Sequence, residues 1–125
     1  MQTVLIVEDN VELLTVLREL LGKEYEILVA RHGEEAIELA RQERPDVVIL
    51  DLQLPTIDGI EVGRWIKREL GADGTAILVL TALAAQTDID AVVGSDWCDA
   101  FMAKPASLSA IRSKVRELIE TNHVA

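Results

Sequence analysis

The sequence predicts an α/β fold, a doubly wound sheet of five parallel strands joined by crossover helices, and two observations carry that reading. Short apolar, β-branched runs alternate with longer segments of helical period along the whole chain. The first, third and fourth of these runs are apolar throughout, which fits central strands covered by helices on both faces; a half-solvated antiparallel sheet would alternate apolar with polar residues. Right-handed crossovers leave few topologies open to such a chain.

The first strand is the run 4–7, Val4-Leu5-Ile6-Val7. A first helix opens at Asn10, a good N-cap type, repeats Leu13, Leu14, Leu17, Leu20 and Leu21, and stops at Gly22. The second strand is 26–30. The second helix follows Gly33, turns Ala36, Ile37 and Ala40 inward, and ends before Pro45, which disfavours helical geometry at Arg44. The third strand is 47–50. Asp58 and Glu61 have the spacing of a capping box and open a third helix that carries Trp65 and Ile66. The fourth strand is 76–80, and Ile89, Val92 and Val93 mark the fourth helix. A shorter fifth strand lies around 100–102, and Leu108, Ile111, Val115, Leu118 and Ile119 recur at helical spacing through the fifth helix. No repeat, linker or low-complexity segment interrupts the series, so residues 1–125 read as one domain and any effector is expected on another domain or another protein.

Composition narrows the function classes. The net charge is −10 and half of the residues are hydrophobic, enough for a core without a disulfide or metal staple. The acidic balance opposes the phosphate attraction that underlies nucleic-acid binding, and equally opposes docking on an anionic membrane. The single cysteine, Cys98, has no partner for an intrachain disulfide and no metal spacing, which suits a cytoplasmic protein. The run 4–7 is too short for a signal segment, and no stretch approaches the ~20 apolar residues of a membrane span.

Ligands in doubly wound sheets bind beyond the carboxyl ends of the strands. Those ends carry Glu8 and Asp9 after the first strand, Asp51 after the third, Thr81 after the fourth and Lys104 after the fifth. Carboxylates gathered at one sheet edge repel unless a cation joins them, and Mg²⁺ is the expected neutraliser, since it takes one or two carboxylates plus phosphate oxygens. Phosphoryl transfer accounts for the other residue types. An Asp carboxylate can attack phosphorus, while Lys, Thr and the metal offset charge on the equatorial oxygens. No Gly-rich phosphate loop or dinucleotide fingerprint is present, so the phosphodonor is expected to arrive on another molecule.

These residues and their flanks resemble the CheY-like receiver domain of two-component response regulators. The matching pieces are residues 4–10 (Val-Leu-Ile-Val-Glu-Asp-Asn), 45–51 (Pro-Asp-Val-Val-Ile-Leu-Asp), 54–59 (Leu-Pro-Thr-Ile-Asp-Gly), Thr81-Ala82 and Lys104-Pro105. The resemblance spans the whole chain. It implies the strand order 2-1-3-4-5, with Asp51 as phosphoacceptor for a phosphohistidine of a histidine kinase or histidine phosphotransfer protein. It implies Mg²⁺ held by Asp9, Asp51 and the backbone carbonyl of Gln53, with Glu8 assisting through water, and Thr81 and Lys104 holding the phosphoryl group. It further implies a switch in which Thr81 and Phe101 move together and alter the face made by the fourth helix, fifth strand and fifth helix, which would bind an effector or a second copy.

The chain departs from the family pattern in places. The segment between Thr81 and Lys104 is about one residue longer, Gly94 comes early, Trp97 stands where a glycine is usual, and Ala106 replaces a frequent aromatic, which should loosen the fifth helix. Gln53 and Leu83 occupy positions that tune access of water, and an apolar Leu83 is expected to slow self-dephosphorylation. Structural readings compete at single positions. Asp51 alone would be a strand-end turn residue, and Glu8 and Asp9 would complement the dipole of the first helix. Trp97 and Cys98 are expected to be packing residues, and His32 and His123 have no partners at catalytic or ligand spacing. At the level of the whole chain, the reading is a self-modifying signalling domain rather than a turnover enzyme. Its alternatives are a phosphorylation-independent pseudo-receiver module and an aspartate-nucleophile phosphatase, which needs a second acid where Gln53 stands.

Overall fold

The computed structural model describes residues 1–55, 57–71, 74–82 and 85–122. Strands and helices alternate along the chain as β1 (Thr3–Val7), α1 (Val11–Leu21), β2 (Glu26–Ala30), α2 (Gly33–Glu43), β3 (Val47–Leu50), α3 (Gly59–Leu70), β4 (Ala76–Thr81), α4 (Gln86–Val93), β5 (Ala100–Ala103) and α5 (Leu108–Asn122). The strands form one sheet in the order β2-β1-β3-β4-β5, every neighbouring pair parallel. The fold class and strand order therefore match the sequence expectation, and the three uniformly apolar runs are the three inner strands.

Successive residues of a strand point to opposite faces, so the inner strands feed two cores. Ile6, Ile49 and Leu78 pack against Leu17 and Leu21 of α1 and against Ile111 and Val115 of α5. Leu5, Val48 and Ile77 pack on the other side with Ala36 of α2, Ile66 of α3 and Val92 of α4. Two apolar positions expected on inward faces are solvent-facing instead: Val93 is 56 % exposed and Leu108 41 %. Val93 is the last residue of α4 and Leu108 the first of α5, and the residue beside Val93, Val92, takes the inward position at 2 % exposed.

The helix signals hold with adjustments. Asn10 accepts a hydrogen bond from the Leu13 N–H, and Gly22 closes α1. Gly33 is itself the first residue of α2, capped by His32 Nδ1 accepting from the Glu35 N–H. Arg44 takes a left-handed conformation (φ 47°) that ends α2 ahead of Pro45. Asp58 accepts from the Ile60 N–H rather than from Glu61, so only one half of the expected box forms, one residue early.

The lengthened segment before β5 is anchored, not loose. Trp97 is 4 % exposed and lies over Gly63 of α3, where an added Cβ would meet the indole ring at 2.5 Å. Glycine is thus needed on the opposite side of the contact from where the family pattern has it. Asp99 then pairs with β4 through its backbone and side chain: its N–H donates to the Ile77 carbonyl at 3.0 Å, and its Oδ2 accepts from the Ile77 N–H at 2.7 Å. Lys67 Nζ donates to the same Oδ2 at 2.6 Å. Ala106, in place of an aromatic, borders an apolar cleft of about 430 Å³ with Leu13, Leu80 and Ile111, yet α5 still starts cleanly, with Ser107 Oγ accepting from the Ala110 N–H.

Candidate functional site

The sheet register sets the site. Asp51 follows β3 directly and its N–H donates to the Val7 carbonyl, while the Glu8 N–H donates to the Ala30 carbonyl, so the chain leaving β1 and β3 is held in ladder geometry one residue past each strand. β4 reaches Thr81 and β5 reaches Ala103, each longer than expected, and Thr81 pairs with Ala103. The Lys104 N–H donates to the Thr81 carbonyl at 2.9 Å. Lys104 is thereby delivered beside Thr81 at the same edge as Glu8 and Asp51.

The side chains meet there. Asp51 Oδ1 accepts from Thr81 Oγ1 at 3.0 Å and from the Gln53 N–H at 3.0 Å, and Oδ2 accepts from Lys104 Nζ at 2.9 Å. Lys104 Nζ also donates to Glu8 Oε1 at 2.7 Å, and Glu8 Oε2 accepts from the Asn10 N–H at 3.0 Å. Glu8 and Asp51 are 3 % and 5 % exposed, and no buried side-chain oxygen or nitrogen among the described residues lacks a partner. Two charges this buried persist only when paired and hydrogen-bonded. Burial of Lys104 favours the neutral amine, but the hydrogen bonds and charges of Glu8 and Asp51 outweigh it and hold the ammonium pKa above its ordinary 10.5.

The expected convergence of three carboxylates is corrected by this geometry. Lys104 occupies the space between Glu8 and Asp51, and the exposed Asp9 carboxylate is turned toward Arg31, whose Nη2 lies 3.9 Å from Asp9 Oδ1 and donates to the Asp9 carbonyl at 3.4 Å. Among the described residues no three His, Cys, Asp or Glu side chains stand together as a metal-binding group. The donor chemistry nonetheless fits Mg²⁺: Glu8, Asp9 and Asp51 on one rim, with the Gln53 peptide beside them, are all hard oxygen donors. Arg31 escaped the sequence reading although it is the first residue past β2; the strand-end rule that selected the other four ends applies to it equally.

Phe101 is half-buried on β5 against the core that faces α2, α3 and α4. His32 serves as a helix cap and Cys98 is half-buried with its Sγ donating to the Ala100 carbonyl. Thr56, Leu83 and His123 lie outside the described residues, and with them the expectation about Leu83. Gly59 explains part of the motif around it. A Cβ there would come within 2.4 Å of the Leu52 backbone, so only glycine lets the start of α3 close on the loop that follows Asp51, and the Gly59 N–H donates to the Leu52 carbonyl across that contact. Among the described residues no helix is long and apolar enough to cross a membrane.

Known proteins resemble this chain in sequence and fold. Residues 4–116 match the family model described as "Response regulator receiver domain". The polar-differentiation response regulator DivK of Brucella anthropi is 35 % identical over 108 residues, covering 86 % of this chain and 87 % of that protein. The receiver domain of a sensor histidine kinase from Pseudomonas aeruginosa, solved with a magnesium ion coordinated in its active-site cleft, superposes with a TM-score of 0.82 at 29 % identity, covering 95 % of this chain and 98 % of that one. A CheY-like receiver from Methanospirillum hungatei superposes with a TM-score of 0.89 at 20 % identity over 98 % of this chain and 96 % of that one, a likeness of fold. With the family model matched over residues 4–116 and a relative 35 % identical over 86 % of the chain, the chain belongs to the response regulator receiver domain family.

Proposed function

We propose that this signalling domain accepts a phosphoryl group on Asp51 from the phosphohistidine of a histidine kinase or histidine phosphotransfer protein. An Asp51 carboxylate oxygen attacks phosphorus, a P–O bond forms as the P–N bond breaks, and the imidazole departs with the electron pair. The observation that carries the reading is the holding of Asp51: Thr81, Lys104 and the Gln53 N–H fix its two oxygens at 2.9–3.0 Å. Thr81 and Lys104 are then within reach of the equatorial phosphoryl oxygens once these lie beside the carboxylate. Asp9, Asp51 and the Gln53 carbonyl, with Glu8 through water, would hold Mg²⁺, which when bound neutralises charge on the phosphoryl oxygens. The relative with magnesium in its cleft supports that assignment.

Self-modification rather than turnover, a cytoplasmic setting, and a face of α4, β5 and α5 that reports the state of Thr81 and Phe101 to an effector or a second copy complete the reading. The test is intact mass after incubation with Mg²⁺ and a small phosphodonor such as acetyl phosphate. A gain of one phosphoryl group, absent in Asp51→Ala and in chelator, is expected. No gain would assign the chain to the pseudo-receiver class, and continuous phosphate release to the phosphatase class. A phosphorylated lifetime shorter than that of Leu83→Ala would contradict the expected slow hydrolysis.

A further inference from the structure

We infer that Arg31 is a positioning residue for the proposed phosphoryl transfer, holding the Asp9 carboxylate so that Mg²⁺ must draw it away in order to bind. The inference rests on the reading of Asp9 as a Mg²⁺ ligand. The sheet brings the two residues together: Val7 and Ala30 are paired in register, and the Glu8 N–H donates to the Ala30 carbonyl at 3.0 Å, so the chain leaving β1 runs beside the chain leaving β2. The start of α2 then fixes Arg31. Its N–H donates to Glu35 Oε1 at 2.9 Å, while the Glu35 N–H donates to His32 Nδ1. From that anchored backbone the guanidinium makes a two-point contact with a single residue: Nη2 donates to the Asp9 carbonyl at 3.4 Å and lies 3.9 Å from Asp9 Oδ1.

Two cations divide the three acids of this rim, and their geometry decides which one yields. Lys104 joins Glu8 and Asp51 at 2.7 and 2.9 Å, with both carboxylates buried, so parting it from either leaves a buried charge uncompensated. Asp9 and Arg31 differ on both counts. Their side chains are each 55 % exposed and 3.9 Å apart, and a solvent-screened pair at that separation exchanges partners at little cost. A divalent ion that prefers hard oxygen donors therefore competes for Asp9 first. The Nη2 bond to the Asp9 carbonyl does not involve the carboxylate and can persist when the carboxylate turns. Arg31 thus stays in place to take Asp9 back, and sets the Mg²⁺ concentration at which the rim accepts the metal.

The test is Mg²⁺ titration of the full chain at constant ionic strength, without phosphodonor, followed by the amide NMR signals of Asp9, Asp51 and Gln53. Arg31→Gln should bind Mg²⁺ about two- to fivefold more tightly than the native chain, the weight of one exposed ion pair. A gain of affinity cannot arise from misfolding. Arg18→Gln, in the last turn of α1, loses the same charge and should leave the affinity unchanged, and in an Asp9→Asn background Arg31→Gln should bring no comparable gain. Unchanged affinity in Arg31→Gln would overturn the inference, as would an equal gain in Arg18→Gln or in the Asp9→Asn background, which would reduce it to an effect of charge alone. A weaker site in Arg31→Gln would overturn it as well, since Arg31 would then orient Asp9 toward the metal. Asp9→Asn by itself separates the two readings. If it binds Mg²⁺ as the native chain does, Asp9 is no ligand and the metal assignment fails with the inference; if it binds more weakly while Arg31→Gln changes nothing, only the role of Arg31 fails.

Discussion

Lys104→Met removes the ammonium that joins the buried carboxylates of Glu8 and Asp51, and its cost can be worked from the geometry. At 2.7 and 2.9 Å each pair has a gross attraction of about 6 kcal/mol at an effective dielectric near 20, most of it offset by desolvation. Deleting one partner of a fully buried pair costs about 3–5 kcal/mol because the other charge stays behind. The Lys104 side chain is 21 % exposed and the edge is open to water, which lowers the expected loss to about 1–3 kcal/mol. In a domain of this size that is a drop in melting midpoint of roughly 5–10 °C. Urea titration in chelator at neutral pH measures it. The companion Lys104→Met/Glu8→Gln should recover about half, since one orphaned charge is then neutral, and Mg²⁺ should stabilise Lys104→Met more than the native chain. A single variant as stable as the native chain, or a double variant no better than the single, would refute the bridging role of Lys104.

Two further outcomes follow from the same structure. Because the folded state raises the Lys104 pKa above 10.5, its stabilisation is complete below that value and lost as pH rises through the folded value; the gap between native chain and Lys104→Met in urea midpoint should be constant from neutral pH to about 10 and close above it. Gly63→Ala places a Cβ 2.5 Å from the Trp97 ring and should cost about 1–3 kcal/mol by overpacking, read by urea titration and by a shifted tryptophan emission; adding Trp97→Ala to it should cost less than Trp97→Ala does alone.

The sheet was legible because burial on both faces writes itself as unbroken apolar runs, and burial is what decides the inner strands β1, β3 and β4. Glu8, Asp51, Thr81 and Lys104 were legible because a parallel sheet sends every carboxyl strand end to one edge. What escaped depends on direction and contact. The spacing of Glu8, Asp9 and Asp51 says that they share an edge, and is silent on Lys104 reaching across between two of them or on Arg31 turning the third outward. Trp97 read as a packing residue, while its seat over Gly63 required knowing that α3 passes beneath it. Val92 and Val93 are adjacent in the sequence, so only one of them can face the sheet from a helix, and the spacing did not say that it would be Val92.

The trio Glu8, Asp51 and Lys104 also separates a structural from a chemical reason for its presence. Replacing a buried ion triad as a whole by apolar residues of similar volume is commonly neutral or stabilising, by about 1–4 kcal/mol, although removing any one member is destabilising. The residues just inside this edge, Val7, Leu50 and Leu80, are buried and apolar, so the sheet could have ended in the same chemistry. Glu8→Gln/Asp51→Leu/Lys104→Met should therefore be at least as stable to urea as the native chain, far more stable than Lys104→Met, and unable to gain a phosphoryl group. A triple variant less stable than Lys104→Met would mean that folding itself requires the trio. That order of stabilities would leave the proposed phosphorylation of Asp51 as the reason that two carboxylates and an ammonium are held at the end of an otherwise apolar sheet.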